Sequence, residues 1–362
     1  MQHEHQLKNN SAKNKNKQGF FAFINQRFGI ETLNYEVPVH ANTLPFTLGG
    51  ITAISTLLTI VTGILLTFWY VPTPEEANLS IRYIMSTAYL GSVIRGIHFW
   101  AAQATVVALV LHLLRVMFYG SYKFPREGNW IIGVFLFITM IGLYFTGTML
   151  KWDQEGFEAL EHAVAIADTV GLGGFFAAGN ASTLIRFFTL HISLLPLLLL
   201  ALLFIHMLLV KRMKISPLPW QKDKKATNER SETHDSKKHT FLHHIGSLIG
   251  YGYIVSGIII ILALLVPPVI GPEPITGIEV TKPFWTFLWL YAIEEWFGIN
   301  GAWIIGGIPF LALLALPFID RAKTQAFRDR KGILTIAIIV TITILALTFY
   351  AYFSSPVVHL DM

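Results

Sequence analysis

Seven stretches of this sequence stay apolar for about 20 residues, the length at which a helix rising about 1.5 Å per residue crosses roughly 30 Å of hydrocarbon. They run approximately from Leu44 to Val71, Ile97 to Tyr119, Ile131 to Leu150, Leu184 to Val210, Ile249 to Ile270, Ala302 to Phe318 and Ile333 to Phe353. Inside a bilayer every backbone polar group must be satisfied within the protein, so such stretches read as helices and the fold class as an all-α, polytopic membrane protein. The sixth is the weakest, because Gly306, Gly307 and Pro309 interrupt it, although a span packed against neighbours tolerates such residues. With 53% hydrophobic and 14% charged residues and a mean hydropathy of +0.55, the chain has more apolar surface than a soluble core of 362 residues can hide.

The net charge of +5 would suit a nucleic-acid partner if the cations formed a patch. They do not. The N-terminal tail and the second, fourth and sixth connections hold 21 of the 27 Lys and Arg, whereas the other connections hold Arg82, Lys151 and Lys282. This bias predicts a cytoplasmic N-terminus, an odd number of spans and a C-terminus on the positive side of a cytoplasmic membrane, with no nucleic acid bound. The first twenty residues are polar and basic for too long to be a secretory signal.

The fourth connection contains KDKKATNERSETHDSKKH, a composition typical of a flexible linker. The expected organisation is a cytoplasmic tail with an amphipathic N-terminal segment (1–43), a four-span unit (44–212), a charged linker (213–244) and a three-span unit (245–362). The absence of cysteine excludes disulfides, iron–sulfur clusters, zinc–thiolate sites and thioether-attached haem on this chain. Redox chemistry here needs a non-covalent cofactor.

Of thirteen histidines, four fall inside the spans: His98 and His112 in the second, His191 and His206 in the fourth. A single histidine on an apolar helix reads first as a hydrogen-bonded packing residue, but the set has a pattern. Spacings of fourteen and fifteen are each close to four helical turns, so each pair shares a face with its members about 21 to 22 Å apart. The two spans run in the same direction, so His98 can face His191 and His112 can face His206. Two histidines per level leave a zinc or copper site incomplete, whereas six-coordinate haem iron requires two axial ligands. The chain is therefore expected to hold two non-covalent b-type haems in a four-helix bundle, with three further transmembrane helices beside it.

Three arginines sit within or at the edge of these spans, where an unpaired guanidinium is costly: Arg95, Arg115 and Arg186. Each lies within five residues of a paired histidine, and haem propionates are the anions they are expected to meet. Glycines give a separate signal. Gly49 and Gly63 in the first span and Gly133 and Gly147 in the third are each fourteen apart, repeating the spacing of His98 and His112. Close helix packing explains any one of them, and a porphyrin edge lying against both helices explains the set.

These residues and several motifs resemble cytochrome b, and most closely the chloroplast and cyanobacterial type, in which the four-span and three-span parts are separate chains. The motifs are LGGI (48–51), RGIHFW (95–100), LHLLRV (111–116), FPRE (124–127), KWDQEGF (151–157), LIRFFTLH (184–191), GPEP (271–274), PFWTFLWLYAI (283–293) and LPFIDR (316–321). The likeness covers nearly everything after the tail, with two departures. The chloroplast type attaches an extra haem through a cysteine where this chain has Thr47, so no covalent haem is expected. The family's Pro-Glu-Trp-Tyr quinol-oxidation motif aligns with Pro283, Phe284, Trp285 and Thr286, so its acid is missing.

The resemblance implies a quinol oxidoreductase subunit. Quinol is oxidised at the positive side, one electron passing to a Rieske iron–sulfur protein and on to a c-type cytochrome or other acceptor. The second crosses the two haems to a cytoplasmic quinone site, with protons translocated and the complex a homodimer. A carboxylate must replace the missing acid, and of Asp153, Glu155, Glu158, Glu279, Glu294 and Glu295 on the same side, Glu294 or Glu295, about ten residues past Phe284 in the aromatic stretch that holds Trp285, is expected to do so, against the plainer reading of an interfacial pair facing water. For the cytoplasmic quinone site the candidates are Arg212, Lys214, His243 and His244. An alternative keeps the haems but makes the chain a conduit between a peripheral oxidoreductase and the quinone pool, without bifurcation. A transporter is a third reading, since seven spans with intramembrane Arg and His fit that class too, and absence of bound haem would be needed to revive it.

Overall fold

The computed structural model describes residues 35–177, 182–220 and 238–358, together with residues 19, 22, 23, 25 and 27. Most of the tail and of the charged linker therefore lies outside the described residues. Ten helices follow in chain order: α1 (Leu44–Leu66), α2 (Ala77–Ser86), α3 (Gly91–Phe118), α4 (Glu127–Met149), α5 (Gln154–Thr169), α6 (Gly173–Ala177), α7 (Thr183–Met213), α8 (Phe241–Leu265), α9 (Leu288–Ile319) and α10 (Lys331–Phe353). Among the described residues seven helices are long and apolar enough to span a bilayer, at the expected windows, and the protein is an all-α, polytopic membrane protein.

Local chemistry sets several helix starts. Asp153 accepts from the amide of Gly156 at 3.0 Å to begin α5, Ser182 from Ile185 at 3.4 Å to begin α7, and Thr240 from His243 at 3.3 Å to begin α8. The hydroxyls of Thr52, Thr56, Thr59 and Thr62 along α1 donate to the carbonyl four residues earlier, so they occupy an apolar span without unmet polar groups.

Helix α1 packs along α3, α4 along α7, and α8 lies against both α1 and α3. Close approach of α8 depends on small residues: a Cβ on Gly96 would come within 2.9 Å of Ala263. Helix α9 is two segments joined at Gly298, whose φ of 67° lies in the left-handed region that glycine adopts without a Cβ penalty. The first segment lies back over the second, because Gly306 leaves room for Leu290, whose Cδ2 would be 2.4 Å from a Cβ there.

A two-stranded antiparallel sheet ties the start of the chain to the three-span half. Strand β1 (Glu36–Pro38) pairs with β2 (Lys238–Thr240), Glu36 opposite Thr240. At the same end, buried Arg330 and Lys123 bind Asp320, which also accepts from the Tyr122 hydroxyl. This ion cluster fastens the α3–α4 turn to the α9–α10 turn.

Candidate functional site

The four intramembrane histidines meet in pairs. The rings of His98 on α3 and His191 on α7 have centroids 6.5 Å apart and planes inclined at 68°. Two metal–imidazole bonds of about 2 Å each, plus the two ring radii, account for nearly that whole separation. His112 and His206 are electrostatic neighbours at the other level.

Hydrogen bonds select the nitrogen each ring offers. The Thr146 hydroxyl donates to the Gly142 carbonyl at 2.8 Å and lies 2.9 Å from His191 Nδ1, so it accepts the Nδ1 proton and leaves Nε2 as a lone pair. His98 Nδ1 lies 3.0 Å from the Thr59 carbonyl and 3.2 Å from the Thr62 hydroxyl, with the same outcome. At the second level, Nδ1 of both His112 and His206 is buried without an aligned hydrogen bond.

Each ring also rests on one glycine of the neighbouring helix. A Cβ would lie 3.0 Å from Cε1 of His98 at Gly63, 3.1 Å from His112 at Gly49, 3.0 Å from His191 at Gly147 and 3.4 Å from His206 at Gly133. The atom each glycine clears is thus an imidazole carbon, where a porphyrin edge was expected. The helices of each pair are antiparallel, which is why the earlier glycine meets the later histidine. The unequal histidine spacings are reconciled by a π turn at Leu190–Leu194, which holds the extra residue of α7 directly at His191.

The arginines take backbone carbonyls as partners. Arg95 donates to Pro268 at 2.8 Å and also has Asp153 as an electrostatic neighbour, Arg115 donates to Pro45 at 3.0 Å, and Arg186 to Phe175. Paired, half-buried imidazoles at both levels, with Nε2 left free at the His98–His191 level, glycine-relieved backbones and guanidiniums nearby are a donor set that fits a bis-histidine haem at each level.

Beside the His98–His191 level lies a cavity of about 290 Å³, walled by α4, α5 and both parts of α9. One turn of α4 serves both places: Phe145 and Thr148 line the cavity, while Thr146 and Gly147 touch His191. Phe284 lines it too, packed edge-on against Phe99 at 5.7 Å. Of the acids expected from the sequence, Glu294 lines the cavity and is buried, whereas Glu295 turns away to accept from the Tyr350 hydroxyl at 2.9 Å. Trp285 donates to Gln103 at 3.0 Å and lines an adjoining hollow instead.

His162 of the cavity wall was not singled out by sequence reasoning. His162 on α5 places Nε2 at 3.3 Å from Glu294 and 3.6 Å from Glu279. Burial alone would lower the His162 imidazole, but contact with the Glu294 carboxylate, the Glu158 carbonyl and the Glu279 carboxylate overcome this and hold it up at about 9. The available signal was the period of α5, where Glu155, Glu158, Ala159, His162 and Ile166 recur at helical spacing and form one face of the cavity. At the opposite end of the bundle, His244 bonds Asn42 at 2.9 Å and His243 stacks on His239 with centroids 4.3 Å apart.

The cytochrome b/b6/petB family matches residues 33–214. The cytochrome b subunit of menaquinol:cytochrome c reductase from Geobacillus thermodenitrificans is 38% identical over 216 residues, covering 54% of this chain and 96% of the relative. Cytochrome b6 of Chlamydomonas reinhardtii is 38% identical over 189 residues, covering 50% of this chain and 87% of the relative. Beyond the four-span half the likeness is one of fold: a chain of a solved hyperthermophilic respiratory complex III superposes with a TM-score of 0.78 at 24% identity, over 92% of this chain and 91% of that one.

Proposed function

Since this chain belongs to the cytochrome b/b6 family, we propose that it is the di-haem membrane subunit of a quinol-oxidising electron-transfer complex, as the names of its relatives suggest. Its partners are a Rieske iron–sulfur protein, a c-type cytochrome or other acceptor, and a second copy of itself.

The observation that carries this reading is the pair of opposed histidines, each ring set on a glycine, on the same helical turn of α4 that walls a cavity. His98 with His191 holds one haem and His112 with His206 the other, with Arg95, Arg115 and Arg186 available to their propionates. A haem so held supplies reversible one-electron chemistry at its iron. The protein fixes the two levels about 21 Å apart, enough to bridge most of the low-dielectric core. Phe145, Phe284 and Phe287 give the cavity an apolar wall, and Glu294 gives a quinol hydroxyl there a carboxylate in place of the acid that Phe284 does not provide. Electrons pass from this positive-side site to a cytoplasmic quinone site, and proton release at one and uptake at the other contribute to translocation.

Purification in mild detergent, reduced-minus-oxidised and pyridine haemochrome spectra, and a count of protohaem per chain test this directly. Two b haems of distinct midpoint potential, reducible by quinol, are expected, and one haem or none ends the reading. Phe284 in the acid's position favours the second reading, a conduit without bifurcation. A Rieske protein in the purified assembly supports the first, and a molybdenum or multihaem partner alone supports the second.

A further inference from the structure

One acidic corner of the cavity joins α5 to a stretch more than a hundred residues later: His162 from α5, Glu279 from the α8–α9 connection and Glu294 from the first part of α9. Glu158 lies in the same wall but is committed to structure, accepting from Gln154 at 2.9 Å and from the amides of Val280 and Thr281 at 2.8 and 3.0 Å. Glu294 is not committed in that way, since its buried Oε1 makes no aligned hydrogen bond. Resting on the quinol-site reading above, we propose that Glu294 and His162 form a two-step proton relay out of the cavity, with Glu279 as the fixed counter-charge.

The first step is an acid–base exchange. The quinol O–H bond breaks, its electron pair stays on oxygen as quinolate, and the Glu294 carboxylate takes the proton. The second follows from the charge change. The imidazolium of His162 is held between two carboxylates, with Nδ1 donating to the Glu158 carbonyl at 2.8 Å. Neutralising Glu294 removes the strongest of the groups that hold the His162 proton. His162 then releases its Nε2 proton to water at its exposed side, which carries it away as hydronium, and Glu294 passes its own across 3.3 Å to Nε2, restoring the imidazolium and its own carboxylate. The side-chain exposures fit this order, with Glu279 at 2%, Glu294 at 7% and His162 at 18%, so the last member is the one most accessible to water. The other titratable groups around His162 are Glu161, adjacent to it on α5, and Tyr291 on α9, which faces the same acids.

The test uses the assembled complex in membranes, with a decyl-chain naphthoquinol as donor and b-haem reduction followed across pH. His162→Gln takes away the cation beside the accepting carboxylate and should shift the acid limb of the rate profile upward by about one unit or more. It should also lower kcat about tenfold or more with little change in KM, while Glu294→Gln removes that limb. Dithionite-reducible haem equal to wild type shows that each variant is assembled. A wild-type rate and an unmoved limb in His162→Gln overturn the relay, as does a lower rate with the limb unmoved, which assigns His162 a structural part only. Failure of the wild-type complex to accept electrons from the quinol at any pH overturns the site reading itself.

Discussion

The carbon that Gly147 lacks would lie 3.0 Å from Cε1 of His191, and the same contact recurs between Gly63 and His98. A substituted glycine must therefore displace an imidazole whose Nδ1 is already fixed by hydrogen bonds to threonine side-chain or backbone oxygen.

The effect of substitution should be graded by that distance. Gly147→Ala and Gly63→Ala are expected to lower haem retention or shift the midpoint potential at the His98–His191 level, whereas Gly133→Ala, where the gap to His206 is an ordinary 3.4 Å, should be nearly neutral. Haem content and a redox titration of each variant check this, and equal effects at all positions would contradict it.

Thr146→Val keeps the shape of the side chain but removes the hydroxyl that accepts the His191 Nδ1 proton, leaving the Leu143 carbonyl as its remaining partner. Loss of such an outer partner typically weakens metal binding by about 10- to 100-fold. Thr62→Val should cost less, because the Thr62 hydroxyl is the longer of the two contacts to His98, 3.2 Å against 3.0 Å for the Thr59 carbonyl, whereas Thr146 lies 2.9 Å from His191. The rate of haem loss in detergent at raised temperature distinguishes the two.

Removing one residue from the π turn, for example Ile192, should leave a regular α-helix whose histidines are fourteen apart, matching the spacing of Gly133 and Gly147. Both haems should be retained. Loss of either one would show that the turn is needed for more than register.

Asp320 is buried, and although burial alone would raise it, hydrogen bonds from Tyr122, Arg330 and Lys123 hold its carboxyl at about 2. Asp320→Asn leaves Arg330 as a buried, uncompensated charge, a change that typically costs about 3–5 kcal/mol. A lowered thermal midpoint with an unchanged haem spectrum before unfolding is expected. Because the folded carboxyl titrates below its ordinary value, this stabilisation is present near neutral pH and above, and is lost as pH falls toward 2.

The His162 cluster has the opposite sign. Its imidazole is raised, so the stability it contributes is complete below about 6.5 and is lost as pH rises through about 9. Thermal midpoints measured from pH 6.5 to 9.5 should fall more steeply for wild type than for His162→Gln, and parallel curves would contradict the assignment.

Helical periodicity is a local property, and wherever it governed, the sequence was sufficient. Span number followed from the length of apolar runs, and the matching intervals of His98, His112, Gly49, Gly63, Gly133 and Gly147 followed from residues per turn, since a position on a helix fixes both height and face. Which atom each glycine relieves was not legible, because that depends on which helices adjoin and in which direction. Glu294 and Glu295 are neighbours in sequence but point about 100° apart, so only the packing of the segment before Gly298 placed one in the cavity and the other against Tyr350. His162 is more than a hundred residues from Glu279 and Glu294 and shares no motif with them. Their meeting is a product of α5 and the folded-back start of α9 closing on one space, and long-range contact of that kind exists only once the chain has folded.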